Sequence, residues 1–343
     1  MAAVSSARMR RPTLEDVARE AGVSRATVGY VLNRTAGQTI SAATTERVHA
    51  AAARLKYRPH AAARSLAAGR SGVILVVLPG WPVTFSLGTT LDSLARTLGA
   101  EGYAVVTQGL ERGSPVRPFW EQLPPDIVVG FSRFSPAELA SMEIAGVTRV
   151  ITPEQLARTS DADGAAPGTR LQVEHLCELG HRRLAFATQP EWQRGMFSVA
   201  RRRVAKKAAA SLGAAIVAEA SVVADETAVD VVRSWNADGI TGVVAFNDDA
   251  AAVVIGAALR AGLRVPEDLA VVGHDDSPLA SLFVPSLSSA HVDPATAGQW
   301  LASQLLHEID GRPIAAMPEL APSLTVREST VALRSTTSKS RLR

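Results

Sequence analysis

A single cysteine among 343 residues leaves nothing to pair in a disulfide and no thiolate set for a metal cluster. That usage suits a reducing compartment, and Cys177 reads as a small buried hydrophobe. Long apolar runs are missing as well: the longest, residues 73–79, falls far below the ~20 residues that a membrane-spanning helix needs. The N-terminal stretch carries Arg8, Arg10 and Arg11 without the apolar segment of a secretory signal, so neither export nor membrane insertion is expected. The charge excess of disordered chains is absent too; 20% of residues are charged and 47% hydrophobic, enough apolar material for a packed core. The length favours two or three domains over one.

What is present is unevenly distributed. Residues 1–70 hold twelve Lys and Arg against four Asp and Glu, net +8, whereas residues 71–330 hold twenty against twenty-nine, net −9, and 331–343 form a basic tail of +4. A small basic module on a large acidic body is expected when one end meets a polyanion and the rest must avoid it. A solvated basic face would give the same arithmetic.

The basic module has a pattern of its own. Thr13 can cap a helix with Leu14, Val17 and Ala18 on one face, and Gly22 ends it. Ser24 caps a second, from Arg25 to about Asn33, with Val28, Val31 and Leu32 aligned. Only residues 21–23 separate the two, which is the spacing of a helix-turn-helix whose second helix can enter a DNA major groove. Ser41 caps a third helix with Val48, Ala51, Ala52 and Leu55 turned inward. Pro59 and Gly69 then bracket an Ala-rich stretch too short to hold as a helix in water by itself, which reads either as a linker or as a segment ordered by a partner.

Residues 12–78 resemble the start of a lac-repressor/gal-repressor (LacI) family transcription factor. The likeness is carried by Thr13-Leu14-Glu15-Asp16-Val17-Ala18-Arg19-Glu20-Ala21-Gly22-Val23-Ser24-Arg25-Ala26-Thr27-Val28, by Val31-Leu32-Asn33 and by Tyr57-Arg58-Pro59. The resemblance implies that Arg25, Ala26 and Tyr30 face base edges, and that Thr13, Ser24, Thr27, Asn33, Ser41 and Tyr57 make phosphate or positioning contacts. Their chemistry agrees: Arg can fork onto guanine, Ala can meet a thymine methyl, and hydroxyls at helix starts can hold phosphate oxygens. It further implies a hinge helix at 59–70, with His60, Ala63 and Leu66 at minor-groove positions and Leu66 as the apolar wedge between base steps. Tyr30 stands where the family usually has Arg, Gly29 where it has Ser, and His60 where it has Asn, so the preferred operator is expected to be unusual.

From residue 72 on, β-rich runs at 73–78, 104–107, 127–131, 147–151, 184–188, 242–246 and 269–273 alternate with helical patterns near 89–99, 136–145, 169–179, 200–212, 227–236, 248–261 and 294–309. That order predicts right-handed parallel β/α units, arranged as two doubly wound subdomains whose facing strand ends form a ligand cleft. Residues 168–183, 246–249, 262–276 and 326–330 again resemble the family, whose body is like a periplasmic sugar-binding protein. The domains expected are therefore an all-α helix-turn-helix DNA-binding domain at 12–58, the hinge at 59–70, and a periplasmic-binding-protein-like α/β core for effector binding and dimerisation at 71–330. Within the core, one subdomain takes about 71–160 and 291–318, the other about 161–290 and 319–330.

The resemblance places Asn247 and Asp275 at strand ends facing the cleft, suited to hydroxyl or amide recognition. The effector arginine is Arg203 by the spacing of residues 200–204, or Arg201 by counting to Gly213. Other cleft positions depart from the family: residues 79–85 replace the usual Asn-Pro-Phe, Thr152 and Val292 replace polar groups, and His274 replaces the common aromatic. Trp81 or Trp192 offers an aromatic platform, unless each simply packs. A less polar effector than a sugar, or none, is expected. The tail lacks tetramerising heptads, so a homodimer is expected. Neither a phosphate-cradling glycine loop nor a nucleophile elbow is found, and His175, Cys177 and His181 are too irregularly spaced to converge on a metal. The expectation is a cytoplasmic, nucleoid-associated repressor without cofactor or enzymatic activity, partnered by double-stranded operator DNA and a small molecule and not by a membrane. The competing readings are a small-molecule-binding protein, a regulator with a degenerate pocket and an α/β enzyme.

Overall fold

The computed structural model describes residues 12–33, 39–57, 70–80, 82–110, 116–158, 166–190, 195–313 and 321–331, and the chain divides into two compact units, 1–72 and 73–343. The expected hinge positions His60, Ala63 and Leu66, and both Trp81 and Trp192, lie outside the described residues.

The first unit is built from α1 (Leu14–Ala21), α2 (Arg25–Asn33) and α3 (Ala42–Arg54). Thr13 and Asp16 close a reciprocal cap on α1: Thr13 N–H donates to Asp16 Oδ2 at 2.8 Å and Asp16 N–H to Thr13 Oγ1 at 3.3 Å. Gly22 then turns the chain at φ 63°, in the left-handed region where glycine carries no steric penalty. Val17, Val28, Val48 and Ala51 are fully buried where the three helices meet, and Leu14, Leu55 and Tyr57 pack around them. Arg54 on α3 reaches Glu20 on α1 at 3.0 Å.

The second unit contains two sheets. A parallel four-stranded sheet runs in the order β2 (Ala104–Gly109), β1 (Val73–Leu78), β3 (Ile127–Gly130), β4 (Val150–Ile151). Around it lie α4 (Phe85–Ala100), α5 (Pro136–Ile144) and α6 (Pro153–Arg158). The six-stranded sheet is formed by β5 (Arg183–Thr188), β6 (Ala215–Ser221), β7 (Gly242–Ala245), β8 (Ala270–His274), β9 (Ser288–His291) and β10 (Ser323–Thr325), ordered β10-β9-β8-β7-β5-β6, with only β10 antiparallel. Its helices are α7 (Pro167–Glu178), α8 (Met196–Ser211), α9 (Glu226–Ala237) and α10 (Asp248–Arg260). The last helix, α11 (Pro294–Asp310), returns to the first sheet, where Ser93 Oγ on α4 donates to the Ala295 carbonyl at 2.7 Å. Each central strand is buried on both faces, as all-parallel sheets require.

Several boundaries differ from the sequence pattern for local reasons. Helix α4 begins at Phe85 because Thr84 caps it, accepting from Leu87 N–H at 3.4 Å. Strand β4 keeps only two residues of the expected 147–151. Strand β6 was not expected; as the sheet's edge it carries small and charged residues such as Ala218 and Glu219 instead of an apolar run. Between β2 and β3 the described residues hold a single 3-10 turn, Phe119–Glu121, whose Trp120 is fully buried and donates from its indole N–H to Ser141 Oγ at 3.0 Å. Cys177 is buried, and desolvation raises its thiol pKa, in keeping with an inert core position.

Candidate nucleic-acid interface and ligand cleft

In the first unit, burial of Val28 and Val31 fixes how α2 rolls. Its opposite face is left open, and Arg25, Ala26 and Tyr30 are all exposed there, Tyr30 to 39%. Ser24 holds the helix start, its Oγ accepting from Thr27 N–H at 3.0 Å and lying 2.8 Å from Thr27 Oγ1. Ser41 does the same for α3, accepting from Thr44 N–H at 3.3 Å. The hydroxyls of Thr13, Ser24, Thr27 and Ser41 thus sit at helix N-termini, where backbone N–H groups and the helix dipole favour a phosphate. Tyr57 lies against the three-helix core. The backbone of Asn33 ends α2, and its side chain lies outside what the structure describes.

The cleft of the second unit is a cavity of about 310 Å³ between strand ends of the two sheets. One wall is Val83, Thr84 and Phe85, which follow β1; the other is Asp248 and Asp249 after β7, with Asp275, Ser277, Pro278 and Leu279 after β8. Phe131 at the end of β3 and Phe197 on α8 close within 6.1 Å of each other, centroid to centroid, so the two halves touch through an aromatic pair.

Of the two candidate arginines, Arg201 is the one that packs against the second sheet and meets Asp275. Arg201 lies 4.7 Å from the Phe246 ring centroid, donates to the Phe246 carbonyl and pairs with Asp275 at 3.5 Å; its side chain is 16% exposed. Arg203 is exposed. Two residues apart on a helix means about 200° of rotation, so only one can face the sheet. Asp275 is buried, with φ 106°, and lies 2.8 Å from His274 Nδ1. Asn247 spends its Oδ1 on capping α10, accepting from Ala250 N–H at 2.8 Å, while its Nδ2 has no hydrogen-bond partner among the described residues.

Sequence reasoning placed residues 79–85 at the cleft but missed Asp248 and Asp249. Asp248 is 3% exposed and accepts from Ser289 Oγ at 2.5 Å and Ser277 N–H at 2.6 Å. Gly273 makes room for it, since a Cβ there would stand 2.3 Å from Asp248 Oδ1. Burial outweighs these hydrogen bonds and, with Asp275 near, pushes its carboxyl up to about 7. Asp249 is exposed, and partial desolvation and Asp275 raise its pKa as well. The signal was present, because both carboxylates follow Asn247 at a strand end where a helix begins.

A basic three-helix unit ahead of a two-sheet cleft matches known proteins along most of the chain. The model for bacterial regulatory proteins of the lacI family matches residues 13–60, and that for the periplasmic binding protein-like domain matches 173–330. The HTH-type transcriptional repressor PurR of Vibrio vulnificus is 30% identical over 339 residues, 92% of this chain and 98% of that one. The chain belongs to the lacI family of bacterial regulatory proteins. The lactose operon repressor of Escherichia coli is also 30% identical, over 352 residues covering 97% of this regulator and 94% of its own chain. Among solved structures, the lac repressor dimer bound to operator and the anti-inducer ONPF aligns with a TM-score of 0.72 at 25% identity, covering 94% of this chain and 100% of that one. The complex of the regulator CelR with cellobiose aligns at 0.59 and 27% identity, covering 93% and 100%. This regulator is thus a DNA-binding transcription factor, and the relatives named here are regulators, not enzymes. Among the described residues, no helix is long and apolar enough to cross a membrane.

Proposed function

We propose that the protein is a cytoplasmic repressor that binds a pseudo-palindromic operator in double-stranded DNA as a homodimer, with the affinity set by a small molecule in the cleft. The observation that carries this reading is the exposed Arg25, Ala26 and Tyr30 face on a helix whose other face is locked into a core. Arg25 and Tyr30 read base edges, the capping hydroxyls and Tyr57 hold the backbone, and the segment with His60, Ala63 and Leu66 adds minor-groove contacts. It acts without cofactor and is not an enzyme.

The effector is less polar than a simple hexose. One wall of the cleft is Val83 and Phe85, while on the other Oδ1 of Asp275 is already engaged by Arg201 and His274 and Asp249 is an exposed acceptor. A ligand with an apolar body and one donor group suits that lining. Mobility-shift titration against the upstream region of its own gene, with random duplex as competitor, tests the reading: preferential retention supports it, and equal competition by random DNA overturns it. Calorimetry with hexoses then tests the effector class, since millimolar or tighter binding that alters operator affinity would refute a less polar ligand.

A further inference from the structure

Asp275 is where the cleft meets the chain passages between the two sheets. Its Oδ1 both pairs with Arg201 at 3.5 Å and stands 2.8 Å from His274 Nδ1. His274 is 3% exposed, and burial together with the Arg201 charge lowers its pKa to about 4, so it is neutral near pH 7. A neutral ring facing a carboxylate at Nδ1 carries its proton there, which leaves a lone pair on Nε2.

That nitrogen has no hydrogen-bond partner among the described residues, and it abuts Gly168: a Cβ on Gly168 would stand 2.6 Å from His274 Nε2 and 3.2 Å from Val292 Cγ2. Gly168 lies in the first turn of α7, just after the chain has left the first sheet. Val292 lies between β9 of the second sheet and α11, which packs on the first. The imidazole is thus wedged against two of the passages that join the halves, one bond network away from the cleft carboxylate. Asp275 itself is held in a left-handed backbone by its N–H, which donates to the Ala290 carbonyl at 2.7 Å, and its carbonyl lies 3.3 Å from His291 Nδ1. Such strain persists where the surroundings impose it.

We propose that His274 is a positioning residue that links the state of Asp275 in the cleft to the passages at Gly168 and Val292, and so to the angle between the two sheets. A ligand that draws the Asp275 carboxylate toward itself frees the ring, and the passages loosen; hinge closure around a ligand uses a few such residues at element ends. The proposal rests on the reading of the cleft as the effector site.

Amide hydrogen exchange of the full chain, with neither DNA nor ligand, tests it. Asp275→Asn weakens the carboxylate contact, and exchange in peptides covering residues 168–172 and 290–296 is expected to rise about ten-fold, a size typical of coupling between residues in contact. When His274→Phe is added, which fills similar space without the Nδ1 donor, the further effect of Asp275→Asn should shrink to under about two-fold. Equal rises in both backgrounds overturn the proposal, as does no rise at all. A parallel rise in peptides from α9 would assign the effect to general loosening and overturns it too. Should Asp275→Asn fail to fold, Arg201→Gln perturbs the same carboxylate and supports the same cycle. Because no operator takes part, failure here leaves the repressor reading standing, and failure of the mobility shift leaves this result standing.

Discussion

Asp248 shows how far one buried side chain can depart from its solution chemistry. Its pKa of about 7 means that the folded protein holds a proton that the unfolded chain releases above about pH 4. Stability from this residue is therefore complete at low pH and declines as pH rises toward 7. Urea melts at about pH 5 and pH 7.5 should show the parent losing on the order of 2 kcal/mol relative to Asp248→Asn, which has no charge to desolvate; parallel changes in the two proteins would refute the assignment. His274 works in the opposite sense, contributing stability above its ordinary pKa that is lost as pH falls toward about 4. At the other end of the molecule, Arg25→Ala or Tyr30→Ala should change preference at one operator position by about 1–3 kcal/mol, as read by binding-site selection. Uniform weakening across sequences would instead make these residues phosphate contacts. Which arginine packs on Phe246 could not be read from residue spacing, because Arg201 and Arg203 differ only in the side of α8 they occupy.

Among the elements, the helices of the first unit are the most locally determined. Their caps are made by residues three apart, so Thr13 and Asp16 mark the start of α1 without reference to the rest of the chain. Thr13→Ala should cost about 1 kcal/mol, measured by thermal melting of the full chain. The pairing of α4 with α11 depends instead on a close approach that no local pattern announces: a Cβ on Gly298 would lie 2.4 Å from the Thr90 carbonyl oxygen and 3.0 Å from Leu94 N. Both are backbone atoms that cannot swing aside, so Gly298→Ala must part the helices and should cost about 1–3 kcal/mol, visible as a lowered urea midpoint. An unchanged midpoint would show that the helices are less closely seated than they stand here. Strand β6 was illegible for a related reason, since an edge strand needs no apolar run and its alternation of Ala, Val and Glu resembles loop composition.

For the whole molecule, the division of charge sets the binding physics. With the +8 module meeting DNA and the −9 body repelled by it, affinity should fall roughly a thousand-fold or more between about 50 and 200 mM salt if six or more phosphates are neutralised; a flat salt response in the mobility shift would remove the basic module from the interface. The sequence alone determined the three-helix unit and the alternation of strands and helices, because caps and periodicity act over a few residues, while the outward roles of Arg25, Ala26 and Tyr30 came from the family resemblance. Only the tertiary structure decided the strand orders, the return of α11 to α4, the pairing of Arg201 with Asp275, and the meeting of Asp248, Asp249 and Asp275 across from Phe85. Those features depend on which distant strand ends are brought side by side, and that is fixed by packing against neighbours far away along the chain.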